Sequence, residues 1–162
     1  MKKILIVACG IPGSGKTTSL TNLSEILGAP HISRDEVRAS FRKEDTTDYF
    51  KNETLVFASF VKQIVDAMNS EDSAIADATH ISRASRLKLI KEITKFIPSD
   101  EFTIEFIWFD TPLEICLERN SQREGWAFVP EDVILNMNDK FEIPSIDEFD
   151  NTVIVRRVKT NE

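Results

Sequence analysis

A glycine-rich segment between an apolar run and a helical pattern constrains this chain more than any other feature. Residues 10–17 read GIPGSGKT and satisfy the pattern G-x-x-x-x-G-K-[ST]. The preceding apolar residues 4–9 are typical of a strand that is buried on both faces. Leucines at helical spacing occupy residues 17–27, and Gly28 and Pro30 then end the pattern. A strand, a glycine-rich loop and a helix in this order indicate an α/β fold.

The loop contains the residue types that bind the phosphates of a nucleotide. Its glycines allow consecutive backbone N–H groups to point at phosphate oxygens, and the helix N-terminus adds a positive partial charge. We expect Lys16 to reach the β- and γ-phosphates and the hydroxyl of Thr17 to bind Mg²⁺. A plain glycine turn between a strand and a helix is the alternative interpretation. The predicted ATP-binding residues of the loop and of the helix start are Gly10, Gly13, Ser14, Gly15, Lys16, Thr17 and Thr18.

Strand-length apolar runs alternate with helical patterns along the rest of the chain. The predicted strands are residues 4–9, 31–33, 73–76, 103–109 and 153–155. The predicted helices are residues 17–27, 35–41, a long one around 57–68, 86–96, 112–120 and one from Pro130. This alternation predicts a parallel sheet of the P-loop NTPase type, flanked by helices. No repeat, linker or break in composition interrupts residues 1–162, which we predict to form a single domain.

Composition excludes several classes of protein. Of the 162 residues, 41% are hydrophobic and 29% are charged, which is typical of a globular domain and not of a disordered chain. No apolar run approaches the ~18 residues that a membrane helix needs. The apolar run 4–9 is too short for a signal peptide, and Cys9 and Cys116 form no disulfide framework. We therefore expect a cytoplasmic protein without a membrane partner.

The charge of the chain limits how it could bind nucleic acid. A net charge of −7 argues against a surface that coats nucleic acid, although it allows a site that grips one end of a strand. The charge is also uneven, since residues 83–95 carry five basic side chains and one acidic, whereas residues 142–150 carry four acidic side chains and no basic one. We interpret both blocks as solvated faces, the usual origin of such runs.

The residues after the second predicted strand indicate which reaction the loop supports. Ligands of open α/β sheets bind at the carboxyl ends of the strands. Asp35 lies there, where a kinase needs a carboxylate that accepts the proton of the acceptor hydroxyl. Arg38 follows one helical turn later and could bind an anionic group on that acceptor. A helix cap at Asp35 and a solvated Arg38 are the alternatives.

Asp77 ends the third predicted strand and has several candidate roles. It could bind a magnesium-bound water, orient Arg38 or form a turn, and we group it with Arg38 at the predicted acceptor site. His80 follows in the same loop and is a weaker candidate for the base, because the topology favours Asp35. His31 is predicted to be a packed strand residue.

A loop with a glycine and aromatic residues joins the last two predicted helices. Residues 119–132 therefore indicate a helical lid. Arg119 and Arg123 could close over the triphosphate and stabilise charge as the phosphoryl group moves. Arginine is also favoured near any helix C-terminus, so a structural role is the alternative. The guanine-reading pattern N-K-x-D and the switch pattern D-x-x-G are absent from the sequence, which disfavours a GTPase.

Together these residues resemble the kinase domain of bacteriophage-type polynucleotide 5′-hydroxyl kinases and, more widely, the P-loop kinases grouped with them. The likeness extends from Lys2 to about Pro144, and it rests on the loop 10–17, on residues 33–38 and 119–123, and on Val129, Pro130, Asp132 and Val133. The resemblance implies that Asp35 is the general base toward a 5′-hydroxyl and that Arg38 contacts the phosphate of the acceptor. It also implies that Arg119 and Arg123 are lid arginines, with Arg123 on the phosphates of ATP.

Two departures from this family pattern stand out. Family members commonly have an acid followed by Thr-Asn after the third strand, whereas Ala78 separates Asp77 from Thr79 here and His80 replaces the Asn. The D-x-D-G-T run of the phosphatase domain that often accompanies the phage enzymes is absent from this sequence.

The expected function is Mg²⁺-dependent transfer from ATP to the 5′-hydroxyl end of DNA or RNA, with Asp35, Lys16 and Arg123 as the catalytic residues. The alternative is a P-loop kinase for a small molecule, such as a sugar, a nucleoside or a nucleotide-sugar, which the acidic net charge favours. A third hypothesis is a nucleotide-binding regulator that transfers no phosphate. A catalytic carboxylate at Asp35 argues against it, because a sensor needs no base.

Overall fold

The structure is a computed structural model that describes residues 2–42 and 49–159. Within these residues, five parallel strands form one sheet in the order β2-β3-β1-β4-β5. The strands are β1 Lys3–Cys9, β2 His31–Ser33, β3 Ser73–Asp77, β4 Phe102–Asp110 and β5 Val153–Lys159. Each predicted strand is present, and the predicted parallel α/β sheet is confirmed.

Helices alternate with these strands as the sequence predicts. They are α1 Lys16–Leu27, α2 Arg34–Arg42, α3 Tyr49–Glu71, α4 Arg83–Thr94, α5 Leu113–Ser121 and α6 Glu131–Lys140. Short 3₁₀ helices lie at Ser99–Glu101 and Gly125–Ala127. Over the two described ranges, none of the helices combines the length and the apolar character that crossing a membrane requires.

The sheet is covered on both faces, so the domain has three layers. Helices α3 and α4 pack on one face, where the core includes Leu5, Phe60, Ile64, Leu89 and Phe106. Helix α1 packs on the other face, where Leu20 contacts a smaller cluster that includes Ile6, Ala8 and Ile75. Since β1 contributes to both clusters and is buried along most of its length, it is the central strand that its apolar sequence predicts.

The buried face of α4 differs from the predicted one. The sequence predicts a face formed by Leu87, Ile90 and Ile93, but Leu87 is exposed and Arg86 and Leu89 are buried in its place. The helix also begins earlier than predicted, because Ser82 and Ser85 form a capping box at its N-terminus. A buried arginine is not part of an apolar pattern, so its place on the inner face depends on a partner elsewhere in the fold.

That partner comes from the acidic block 142–150, which lies along α4. Arg86 Nε is 2.9 Å from one carboxylate oxygen of Glu148, and NH2 is 3.2 Å from the other. Arg86 NH1 also donates to the carbonyl oxygen of His80 at 2.7 Å. Arg83 pairs with Asp147 at the surface. The interpretation of both blocks as solvated faces is therefore wrong at their centre, where they bind each other.

The strand order brings the predicted site residues to one edge of the sheet. After β1, the chain forms β2 and β3 on one side of that strand and then β4 and β5 on the other, so β1 lies where the order reverses. The backbone N–H of Gly10 donates to the carbonyl oxygen of Thr79 at 2.9 Å, which joins the loop after β1 to the loop after β3. The carboxyl ends of β1, β2 and β3 thus meet at one place.

Candidate active site

The glycine-rich loop is braced by residues that follow β4, among them Arg119 of the predicted lid region. A Cβ atom at Gly13, where φ is +85°, would lie 2.4 Å from the carbonyl oxygen of Cys116 in α5, so only glycine fits there. Arg119 NH1 donates to the carbonyl oxygen of Gly13 at 3.2 Å. Thr111 Oγ1 donates to the carbonyl oxygen of Ser14 at 2.9 Å. Contacts from residues that follow β4 in the chain therefore set the loop conformation together with the loop's own glycines.

Lys16 is buried in the first turn of α1 with its ammonium group against the loop. Its Nζ lies 2.8 Å and 3.0 Å from two carbonyl oxygens of the loop. Burial lowers the pKa of Lys16, the charges of Asp77 and then Asp35 oppose this effect, and the charge of Arg123 adds to it. The ammonium group is thus within electrostatic reach of three other residues that the sequence assigns to the site.

Asp77 lies on the phosphate side of the site. Its Oδ2 accepts a hydrogen bond from Thr17 Oγ1 at 3.1 Å and another from His31 Nε2 at 2.8 Å. Arg38, the other residue that the sequence assigns to the acceptor, bonds to Asp35 and Glu53. Oxygen atoms of a hydroxyl and of a carboxylate are the ligands that Mg²⁺ prefers, and Thr17 and Asp77 together fit the predicted metal.

Asp35 and Arg38 lie in the first turns of α2 as the sequence predicts. Arg38 NH1 donates to Asp35 Oδ1 at 2.7 Å, and the Asp35 side chain is exposed. Arg38 also binds both carboxylate oxygens of Glu53, with Nε at 2.7 Å and NH2 at 2.8 Å. Burial raises the pKa of Glu53, but the hydrogen bonds and charges of Arg38 and Arg34 outweigh it and the pKa is lowered.

One cleft of about 880 Å³ is lined by residues that the sequence assigns to ATP and by residues that it assigns to the acceptor. Its lining includes Lys16 and Thr17 at the loop, Asp35 and Arg38 on α2, and Arg123 after α5. Asp77 and Thr18 also line it. The structure thus brings together residues that are separated by more than a hundred positions in the chain.

Glu53, Phe57 and Lys88 are among the cleft residues that sequence reasoning did not assign to the site. Glu53 and Phe57 lie one turn apart on α3, and Lys88 lies on α4. The ring of Phe57 has the Arg34 guanidinium 5.3 Å and the Lys88 ammonium 4.6 Å from its centroid. The spacing of Glu53 and Phe57 shows that they share a helix face, but only the packing of α3 beside α2 shows that this face meets Arg38.

The lid region is fastened at both ends of its loop by Asn120. Its amide Nδ2 donates to the carbonyl oxygen of Val129 at 2.6 Å, and its Oδ1 accepts from the N–H of Val129 at 3.0 Å. Asn120 is buried, whereas Arg123 is exposed and lines the cleft. Arg119 contacts the loop and Arg123 faces the cleft, so the two predicted lid arginines have different surroundings.

His80 is in a poor position to act as a base. Its ring is buried, and Nδ1 donates to the carbonyl oxygen of Ala8 at 2.7 Å. Burial lowers its pKa to about 4, although the hydrogen bond to Ala8 acts in the opposite direction. Its φ is +42°, a region in which Asn and His are enriched. Histidine is thus among the residue types that tolerate this backbone conformation.

Comparison with known proteins places this geometry in a family. Residues 5–144 match the family described as AAA domain. This chain is a P-loop kinase domain of that family. The matched residues include the glycine-rich loop, α2, the loop after β3 and the lid region. Membership of the family implies a binding site for ATP at the glycine-rich loop.

The proteins to which this P-loop kinase domain is similar carry the names of different kinases. A cytidylate kinase of Halorubrum lacusprofundi is 31% identical over 124 residues, which cover 75% of this chain and 59% of that protein, so the chain spans about three fifths of its relative's length. A sugar kinase structure from Janibacter sp. HTCC2649 has a TM-score of 0.64 at 20% identity, with coverage of 97% of this chain and 86% of that one. A fungal RNA kinase structure has a TM-score of 0.67 at 17% identity, with coverage of 100% and 77%. The two structural likenesses show the fold alone.

Proposed function

We propose that this P-loop kinase transfers the γ-phosphate of ATP, in the presence of Mg²⁺, to the 5′-hydroxyl end of a DNA or RNA strand. The observation that carries the proposal is the pair of Asp35 and Arg38, which share a 2.7 Å hydrogen bond in the cleft that also contains Lys16 and Thr17. A carboxylate base and a guanidinium side by side suit an acceptor that presents a hydroxyl close to a phosphate.

The residues of the cleft divide the reaction between them. The Asp35 carboxylate accepts the proton of the acceptor hydroxyl as its oxygen attacks the γ-phosphate. Lys16 binds the β- and γ-phosphates, and Arg123 stabilises the charge that develops on the transferred group. Thr17 and Asp77 would hold Mg²⁺, which would neutralise phosphate charge when bound.

Positive charge near Asp35 supports an anionic acceptor. Arg38, Arg34 and Lys88 all line the cleft, and the last two have their charged groups over the ring of Phe57. A 5′ end offers a hydroxyl for the base and a phosphate one nucleotide unit away for these cations. The net charge of −7 means that affinity should come from the terminal nucleotides and not from a long basic groove.

One observation favours a second candidate, a kinase for a small neutral acceptor. Glu53 binds Arg38 through both oxygens and also contacts Arg34 at 3.4 Å, so part of the positive charge is balanced within the cleft. A sugar hydroxyl needs no free cation beside it. Among the similar proteins is a sugar kinase, whereas the names of the cytidylate kinase and the RNA kinase denote acceptors that carry phosphate.

A panel of acceptors distinguishes the two candidates. Labelled γ-phosphate is offered with 5′-hydroxyl oligonucleotides of DNA and RNA, nucleoside 3′-phosphates, plain nucleosides, cytidine monophosphate and sugars. We expect transfer to the oligonucleotides and to the nucleoside 3′-phosphates, and Arg38→Ala should abolish the advantage of the 3′-phosphate over the plain nucleoside. Efficient transfer to a sugar or a nucleoside, with none to the 3′-phosphorylated acceptors, would overturn the polynucleotide proposal.

Replacement of the base tests the chemistry independently of the acceptor. Asp35→Asn keeps the shape of the side chain and removes the proton acceptor, so turnover should fall by roughly 10²–10⁴. ATP affinity, measured by calorimetry, should stay within about twofold of the wild-type value, because Asp35 is proposed to contact the acceptor and not ATP. An equal loss of turnover and of ATP affinity would assign Asp35 to the nucleotide site.

A further inference from the structure

His31, Asp77 and Thr17 form a hydrogen-bonded group beside the phosphate-binding loop. His31 Nε2 donates to Asp77 Oδ2 at 2.8 Å, and Thr17 Oγ1 donates to the same oxygen at 3.1 Å. The side chains of His31 and Asp77 are largely enclosed, with exposed fractions of 15% and 5%, whereas Thr17 is exposed at the start of α1. In the part of the chain that the structure describes, Asp77 Oδ1 has no hydrogen-bond donor, and Asp77 lines the cleft.

The register of the sheet brings His31 to this group. Ser33 of β2 lies opposite Asp77 of β3, and His31 lies opposite Ile75. Residues two apart on a strand share a face, so His31 is the diagonal neighbour of Asp77 on the face that α1 covers. Thr17 is at the start of α1 on that same face. The prediction of His31 as a packed strand residue thus leaves out the contact that its ring makes.

The direction of each hydrogen bond leaves Thr17 ready for a cation. The carboxylate can only accept, so the hydroxyl proton of Thr17 points to Asp77 and the lone pairs of Oγ1 remain available. The orientation of the Thr17 hydroxyl therefore depends on a fixed orientation of the Asp77 carboxylate. Burial of a carboxylate with a single hydrogen-bond donor would cost stability and would leave the group free to rotate. His31 supplies the second donor.

We infer that His31 is a positioning residue for the magnesium site, which orients the Asp77 carboxylate and through it the Thr17 hydroxyl. This inference rests on the magnesium site of the proposed function and not on the identity of the acceptor. Histidine suits the role because its ring N–H donates a hydrogen bond to the carboxylate, whereas lysine or arginine would place a permanent positive charge beside the group that attracts the metal.

Calorimetry of nucleotide binding tests the inference without catalysis. The dissociation constant of a non-hydrolysable ATP analogue is measured with saturating Mg²⁺ and again with EDTA. For His31→Leu we expect the constant in Mg²⁺ to rise by about tenfold or more, while the constant in EDTA changes by less than about twofold. His31→Gln keeps an N–H donor and should recover most of the Mg²⁺-dependent affinity.

Controls separate positioning from a general effect on the strand. Ile32→Val perturbs the opposite face of β2 and should leave both constants unchanged, and His31→Ala provides a second variant without a donor if His31→Leu does not fold. Equal weakening in Mg²⁺ and in EDTA, or no loss in Mg²⁺, would overturn the inference. Because no acceptor is present, a failure of the polynucleotide proposal in the transfer assay does not change this result.

Discussion

Two arginine–glutamate pairs of the same chemistry occupy different surroundings in this domain. Arg86 and Glu148 bind through two hydrogen bonds, with exposed side-chain fractions of 0% and 2%. Arg38 and Glu53 also bind through two hydrogen bonds, with exposed fractions of 19% and 21%. The first pair fastens the acidic block 142–150 to α4, and the second lies in the cleft beside Asp35.

The difference in burial gives the two pairs different consequences. Arg86 directs a third N–H to the carbonyl oxygen of His80, so these three bonds all belong to the scaffold. A buried charge that loses its partner has no water to replace it. Arg38 directs its third bond to Asp35 in a cleft that water and ligands reach. We therefore expect the buried pair to govern stability and the cleft pair to govern turnover.

The largest effect should follow from breaking the buried pair. Glu148→Ala leaves the Arg86 guanidinium without its carboxylate, and the free energy of unfolding should fall by about 3–5 kcal/mol. Urea unfolding followed by circular dichroism measures this loss. Asp147→Ala is the matched control, because its pair with Arg83 is exposed and should contribute little to stability. Similar losses in both variants would contradict the contrast between buried and exposed pairs.

The next effect concerns His80, whose carbonyl oxygen binds Arg86. The pKa of His80 is about 4 in the folded protein, against an ordinary value of 6.5. Between these two pH values the unfolded chain binds a proton at His80 and the folded protein does not. Stability should therefore fall as the pH drops from 6.5 toward 4, by up to about 3 kcal/mol from this group. Denaturation at a series of pH values measures this slope.

His80→Asn tests the cause of the pH slope. Asparagine tolerates the positive φ at this position and can donate to the carbonyl oxygen of Ala8, but it does not titrate. The variant should keep most of its stability at neutral pH and lose the part of the slope that His80 contributes. An unchanged slope would show that other groups, such as Glu53 in its ion pairs with Arg38 and Arg34, cause the acid sensitivity.

The smallest effect on stability should come from the cleft pair. Glu53→Gln removes the charge that holds Arg38, and the partly exposed pair should change the free energy of unfolding by at most about 1 kcal/mol. Turnover should nevertheless fall, on the order of tenfold, because Arg38 then orients Asp35 less well. Steady-state kinetics and urea unfolding of the same variant measure the two quantities. A loss of stability as large as that of Glu148→Ala would remove the distinction between the pairs.

Features carried by neighbouring residues were predictable from the sequence. The phosphate-binding loop is one contiguous segment, and its glycines and Lys16 act within a few residues of each other. Asp35 and Arg38 are one helical turn apart, so a helix after β2 is enough to bring them together. The central strand β1 follows from its apolar run, because burial on both faces demands one. These inferences need only local geometry, and the structure contains each of them.

Features carried by distant pairs were decided by the tertiary structure alone. His31 and Asp77 are 46 residues apart, and Arg86 and Glu148 are 62 residues apart. Their contacts depend on strand register, on the rotation of α4 and on the path of residues 142–150, none of which has a local signal. The same limit applies to Asp77, for which the sequence left the metal, Arg38 and a turn open. Its buried carboxylate bonds to whichever donors the packed sheet and α1 bring within 3 Å or so, and these are Thr17 and His31.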